Sequence, residues 1–239
     1  MNIALIGYGK MGKTIEKIAL ERNHTIVLKI DIENAADLTP QNLKKADVAI
    51  DFSIPDSAYS NILKCFEAMV PVVCGTTGWL DKMDEVLSIA KSGNNGFFYA
   101  SNYSVGVNIF FKLNQYLAKM MSKFETYQVS MEEVHHIHKL DAPSGTAITL
   151  AEGIIDNIEN KKDWKLDIPS ETSSIGIKAI RKDEVPGIHR IKYDSEVDFI
   201  HIEHSAKSRQ GFALGAVLAA EYMPGKTGYH TMEDLLNLE

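Results

Sequence analysis

Cysteine is scarce in this sequence, with two in 239 residues. Both stand inside apolar stretches, Cys65 in LKCFEAMV and Cys74 in PVVCGTTG, and no CxxC occurs. A disulfide framework is excluded in favour of two buried thiols in a reducing compartment. HExxH is missing. No apolar run approaches the ~18 residues of a membrane span, and the opening MNIALIGYGK lacks the basic and long apolar regions of a secretory signal. Excess positive charge is also lacking. A net charge of −7 argues against a general nucleic-acid binder, which needs clustered Lys and Arg, but leaves room for a local basic pocket. The expectation is a cytoplasmic protein with neither nucleic-acid nor membrane partners. What is present is ordinary for a globular protein: 45% hydrophobic and 24% charged residues, in a length that suits one large domain or two small ones.

Along the chain, NIALIG is a fully apolar run ending at glycine, which suits a buried parallel strand. KMGKTIEKIALER follows with helical spacing, then HTIVLKID, ADVAIDFS, VPVVCGTTG and NGFFYASN as further strands. PDSAYSNILKCFEAM, with Pro55 at its start, and LDKMDEVLSIAKSG read as the helices between them. This alternation predicts a doubly wound parallel sheet over residues 1–103. The style then changes. A long amphipathic helix (SVGVNIFFKLNQYLAKMMSKF) leads into an alternating strand (TYQVSMEEVHH), a helix (GTAITLAEGIIDNIEN), a polar break around ENKKDWKLD and three β-type pieces, SIGIKAIRK, GIHRIKYDSE and VDFIHIEHSAKS. A helix (GFALGAVLAAEYM), a turn and a short helix from near Thr231 close the chain. The second part is therefore α+β, with a sheet expected to be mostly antiparallel.

GYGKMG places Gly7, Gly9 and Gly12 between the first strand and first helix. In such a loop the first glycine makes the tight turn, the second admits a pyrophosphate, the third packs helix against strand, and the helix amides face the phosphates. The motif has its required context, with Asp31 ending the second strand nineteen residues after Gly12, close to the ~20 of dinucleotide-binding folds. A carboxylate there accepts from ribose hydroxyls and repels a 2′-phosphate. No Arg follows Asp31, and Lys10 is the basic group of the loop. NADH is expected over NADPH. Tyr8 and Met11 complete the loop.

Ligands of open parallel sheets bind beyond the carboxyl ends of the strands. Gly75, Thr76 and Thr77 lie at one such end, Ala100, Ser101, Asn102 and Tyr103 at another, and Phe52 and Ser53 at a third. Together they read as one lined cofactor cleft.

EEVHHIHKLDAPSGTA, residues 132–147, carries three histidines in four positions. As a metal site, His135, His136 and His138 with Glu132 or Glu133 do not converge, because neighbours on a strand point to opposite faces; no metal is expected. The acid–base reading fits better. His135 titrates near neutrality, Lys139 is a cation for a substrate carboxylate, and Pro143, Ser144, Gly145 and Thr146 start a helix whose amides attract anions. Asp141 ties the loop down. A polar loop with satisfied histidines is the bland alternative.

That run, as E-x-H-H-x-x-K-x-D-A-P-S-G-T, resembles the signature of the 4-hydroxy-tetrahydrodipicolinate reductase (dihydrodipicolinate reductase) family. GYGKMG, DFS, CGTTG, SNYSVGVN and GFALGAV fall where that family has counterparts, so the resemblance covers essentially the whole chain. It implies a Rossmann-type domain, 1–103 and 212–239, with a substrate-binding and oligomerisation domain, 104–211, built on an open mixed sheet. It implies reduction of a cyclic dicarboxylate by NAD(P)H in lysine and diaminopimelate biosynthesis, and a homotetramer. Residue by residue, His135 is the acid/base group and Lys139 the proton donor. His136, Gly145 and Thr146, with Ser144, bind substrate, and Gly7 to Gly12, Asp31, Gly75 to Thr77 and Ala100 to Tyr103 hold the cofactor. Arg209 and Phe212 stand where the chain returns to the first domain, either touching cofactor or forming a hinge contact. The glycine loop is one residue shorter than is common in the family. A cofactor-binding sensor is the rival of another class; it would keep the glycine loop but not need His135 and Lys139 together.

Overall fold

The computed structural model describes residues 1–208 and 210–238. The chain divides into two compact units, Met1–Val105 with Gln210–Glu239, and Gly106–Arg209. None of the described helices is long and apolar enough to cross a membrane.

In the first unit the strands are β1 (Asn2–Ile6), β2 (Thr25–Ile30), β3 (Val48–Asp51), β4 (Val72–Cys74) and β5 (Gly96–Tyr99), and the helices α1 (Lys10–Glu21), α2 (Pro40–Leu43), α3 (Pro55–Glu67) and α4 (Met83–Ser92). Next in the chain come α5 (Val105–Met121), β6 (Gln128–His135), α6 (Gly145–Ile155), β7 (Asp163–Leu166), β8 (Ser174–Arg181), β9 (Ile188–Asp194) and β10 (Phe199–Ser205). The chain ends with α7 (Gln210–Tyr222), β11 (Gly228–His230) and α8 (Met232–Leu236).

The first sheet has the order β11-β5-β4-β3-β1-β2, and every pairing is parallel. Its inner strands β1, β3, β4 and β5 are buried along almost their whole length because helices cover both faces, while the edge strands β2 and β11 leave Thr25, Lys29 and Tyr229 exposed. One face packs Ala4, Ile6, Ala49 and Phe97 with Ile62, Phe66 and Val86 from α3 and α4. The other packs Ile3, Leu5, Val48 and Phe98 with Ile15 and Ala19 of α1 and Ala213, Ala216 and Ala220 of α7. Small residues on α7 permit a close approach: a side chain at Gly215 would stand 1.6 Å from the Tyr103 carbonyl oxygen. The strand order reverses between β1 and β3, which sets a crevice beyond their carboxyl ends.

The second sheet has the order β10-β9-β6-β8-β7. It is mixed, because β6 and β7 pair parallel with β8 while β9 pairs antiparallel with β6 and β10. The mostly antiparallel expectation is thus corrected. α6 and the connection after it carry the chain from β6 back to the start of the sheet, so a crossover replaces a hairpin. One face buries Val129, Met131, Ile175, Ile177 and Ile191 against Phe110 and Leu117 of α5 and Leu150, Ala151 and Ile154 of α6. Two short strands were not expected: β7 lies inside the polar break, and β11 adds a sixth parallel strand in the turn before α8.

Candidate active site

The glycine loop has the geometry its chemistry requires. Gly7 takes φ +88°, and a side chain there would meet the Phe52 carbonyl oxygen at 2.2 Å. A side chain at Gly12 would meet the Gly7 carbonyl oxygen at 2.4 Å, whereas nothing lies within 4 Å of one placed at Gly9. The outer glycines are demanded by packing, and the middle one faces open space. Gly9 is the N-cap of α1 and supplies no side-chain cap, which leaves first-turn amides for an anion. Lys10 is exposed and Met11 half-buried. The Tyr8 hydroxyl donates to Glu16, and Lys29, 5.0 Å above the Tyr8 ring, pairs with the same Glu16 at 2.5 Å.

Asp31 follows β2 directly and caps the 3-10 turn Ile32–Asp37, its Oδ1 accepting from Ile32 N–H at 2.6 Å. It is exposed. At the other strand ends, Thr76 is buried, its hydroxyl donating to Asp51 at 3.1 Å and accepting from Ser53 N–H at 2.9 Å. Asp51 is fully buried, burial raises its carboxyl above the usual range, and it was missed in the sequence as the organiser of this edge. A side chain at Gly75 would strike the Phe52 ring at 2.3 Å. Thr77 and Ser101 are exposed, while Ala100 and Asn102 are half-buried; Asn102 Oδ1 accepts from Ser104 N–H. Tyr103 turns its ring into the core and donates to the Cys74 carbonyl at 2.7 Å, so it offers this edge main-chain groups. Phe212 is half-buried on the first turn of α7. Arg209 lies outside the described residues.

In the second unit, β6 delivers His135 at its last position. The residue is 8% exposed, and burial holds its imidazole below its ordinary value against the opposing pull of Glu133. His136 is half-buried and His138 exposed, the latter 2.9 Å from Glu184. Lys139 Nζ donates to both oxygens of Asp141 at 2.8 Å. The next turn starts α6: Ser144 is its N-cap, the hydroxyl accepting from Ala147 N–H at 3.2 Å. Gly145 is exposed, with nothing within 4 Å of a side chain placed there, and Thr146 is half-buried beside it. The start of α6 is therefore open to an incoming group at Gly145, while the Ser144 and Ala147 amides are already bonded.

Two residues of this cluster, Arg181 and His189, carry no signal in the local sequence, and Glu133 is offered there only as an alternative metal ligand. Glu133 is wholly buried; it accepts from Ser144 N–H at 3.0 Å and from Arg181 at 3.1 Å. His189 reaches over from β9, its Nε2 3.2 Å from the Ser144 hydroxyl and its ring 5.1 Å from that of His135; burial lowers its value to about 3. Arg181 and His189 lie more than forty residues from the histidine run, and no local pattern links them to it. Glu133, His135 and His189 also bring one ligand atom each within 4.8 Å of one another, a different trio from the one weighed in the sequence. Both Glu133 oxygens already accept from donors, one of them cationic, which opposes a cation there.

Two family models match the chain: one described as dihydrodipicolinate reductase, N-terminus, over residues 1–103, and one as dihydrodipicolinate reductase, C-terminus, over 106–236. A protein of Christiangramia forsetii named 4-hydroxy-tetrahydrodipicolinate reductase is 55% identical over 239 residues, covering 99% of this chain and 98% of its own. One of the same name from Neisseria meningitidis serogroup B is 34% identical, covering 93% and 84%. Among solved structures, a dipicolinate-bound dihydrodipicolinate reductase from Paenisporosarcina sp. TG-14 shares the fold with a TM-score of 0.78 at 22% identity, covering 98% of each chain.

Proposed function

The chain belongs to the dihydrodipicolinate reductase family, and from that premise we propose that it reduces 4-hydroxy-tetrahydrodipicolinate to tetrahydrodipicolinate in lysine and diaminopimelate biosynthesis, with NADH preferred over NADPH. Residues 1–103 and 212–239 act as the nucleotide-binding domain, and 104–211 as the substrate-binding and assembly domain. The open space at Gly9, between two glycines whose neighbours exclude a side chain, fits a pyrophosphate on the α1 amides. Asp31, exposed beyond β2, takes the ribose hydroxyls and disfavours a 2′-phosphate. Gly75 to Thr77 and Ala100 to Tyr103 line the nicotinamide end.

The dinucleotide supplies a hydride when bound; the side chains supply position and protons. Lys139, His136, Ser144, Gly145 and Thr146 hold a substrate carboxylate at the open N-terminus of α6. Loss of water needs one proton removed from the ring and one given to the hydroxyl, and hydride addition is completed by a further proton. His135, kept neutral by burial, suits accepting a proton. Lys139, a cation, suits donating one and stabilising the negative charge that grows as hydride arrives. The observation that carries this reading is one loop bringing His135, Lys139 and the unobstructed start of α6 together.

The test couples the protein to the upstream synthase, which forms the substrate from pyruvate and aspartate semialdehyde, and follows absorbance of the reduced nicotinamide. Synthase-dependent oxidation, faster with NADH than with NADPH, is expected. Folded protein that binds NADH but oxidises neither cofactor would point to another substrate or to a sensor.

A homotetramer is part of the same proposal. β10 is an edge strand that exposes Phe199 and Ile200, beside a groove of about 810 Å³ lined by Met131, Ile168, Lys178, Arg190 and Phe199. An apolar edge of this kind calls for a cover. Sedimentation velocity giving a monomer would refute assembly.

A further inference from the structure

Glu133 and Arg181 stand outside the groups proposed to touch substrate, yet they join those groups to one another. One Glu133 oxygen accepts from Ser144 N–H at 3.0 Å and lies 3.5 Å from His135 Nδ1. The other accepts from Arg181 at 3.1 Å. The same guanidinium donates to the main-chain carbonyls of Asp141 at 2.6 Å, Lys139 at 3.3 Å and Ile180 at 3.0 Å. Arg181 ends β8 directly opposite His135 in the parallel register. A loop such as 136–144 has no ladder of its own to fix it, and these bonds take that place.

We propose that Glu133 and Arg181 are a positioning pair that fixes the loop between β6 and α6, so that Lys139 and the α6 amides address one bound substrate, with Arg181 acting on the reaction through Lys139. This rests on the reading of Lys139 as a proton-transfer group. The chemistry requires this pair of side chains. A guanidinium offers five donors in a rigid fork, enough for three carbonyls and a carboxylate at once, where a lysine ammonium has three and no fixed plane. A wholly buried carboxylate in turn needs a cationic partner, and removing either side strands the other charge.

The pair also frames His135. That imidazole faces Glu133 on its own strand, Arg181 on β8, His189 on β9, and Lys139 and Asp141 in the loop. Glu133 favours the protonated imidazole and Arg181 opposes it, so the two members push its titration in opposite directions.

The experiment is a double-mutant cycle on kcat in the synthase-coupled assay, with wild-type turnover measured first; a wild type without turnover sinks the reductase reading itself, independently of the pair. Arg181→Lys is expected to lower kcat by about 10- to 100-fold, the scale of an ångström-level misplacement, while NADH affinity stays within about two-fold of wild type. In a Lys139→Ala background the same substitution should cost at least about five-fold less than in the wild type, since what Arg181 does through Lys139 is lost while its hold on the start of α6 through Glu133 remains. Full additivity in that background would overturn the proposal. Glu133→Gln is the second arm, because it keeps shape and an acceptor for Ser144. It should shift the His135 limb of the pH–kcat profile down, and Arg181→Lys should not shift it the same way. Activity that falls only in proportion to lost folded protein, read by circular dichroism and thermal unfolding, would make the pair structural and overturn its positioning role.

Discussion

The Lys139 ammonium donates to both carboxylate oxygens of Asp141 at 2.8 Å, so an acid of the same loop occupies the cation that the proposed substrate carboxylate needs. The Lys139 bond holds the Asp141 carboxyl below its ordinary range, and the pair persists at neutral pH. It is largely exposed on the Asp141 side, and such pairs are worth at most about 1 kcal/mol. Asp141→Asn should therefore lower KM for the dicarboxylate by no more than about five-fold. A KM that rises in steady-state assays would show that Asp141 holds Lys139 in place rather than competing for it.

The two proton-transfer groups should be separable from cofactor binding. Lys139→Ala and His135→Ala are each expected to lower kcat by about 10²- to 10⁴-fold, the usual range for a positioned acid or base, with NADH affinity unchanged by fluorescence titration. Unchanged turnover in both would refute the assignment.

Gly9 and Gly12 lie three residues apart and should respond oppositely to alanine. At Gly12 the added methyl meets the Gly7 carbonyl at 2.4 Å, an overpacking that costs roughly 1–3 kcal/mol and lowers the melting temperature. At Gly9 the methyl enters open space, so stability should change by about 0.5 kcal/mol or less while NADH binding weakens at least about ten-fold. Equal effects on stability would show that the middle glycine is structural.

Acid should destabilise the protein through its buried histidines. Burial holds His189 at about 3, so it stays neutral in the folded chain where the unfolded chain takes up protons, and burial depresses His135 in the same direction. Between about pH 6.5 and about pH 3 the unfolded state binds more protons, and stability falls with falling pH, by up to roughly 1.4 kcal/mol per pH unit for one such group. Urea midpoints measured across this window should decline less steeply for His189→Gln than for the wild type. Parallel declines would remove His189 as the source.

Much of the nucleotide-binding half was legible in the chain. β1, β3, β4 and β5 are apolar runs that declare burial on both faces, and the glycine spacing needs no distant partner to be read. Ser144 as N-cap of α6 follows from residue type and position alone. Two strands were not legible, and not because they are short, since β4 also has three residues: β11 reads Gly-Tyr-His and β7 sits among lysines, and neither carries an apolar run or a periodicity before a neighbouring strand offers it a ladder.

The amino-acid sequence by itself determined the alternation of elements, the glycine turn, the place of Asp31 and the histidine–lysine run with its helix start, because each is a local pattern written in consecutive or evenly spaced residues. Only the tertiary structure decided the mixed direction of the second sheet, the turning of Tyr103 into the core, and the gathering of Glu133, Arg181 and His189 around His135 and Ser144. Those depend on strand register and on burial, which bring Arg181 and His189 to Glu133 and Ser144, more than forty positions earlier, and turn a glutamate that the local sequence offers only as an alternative metal ligand into the only carboxylate that the Arg181 fork pairs with among the described residues.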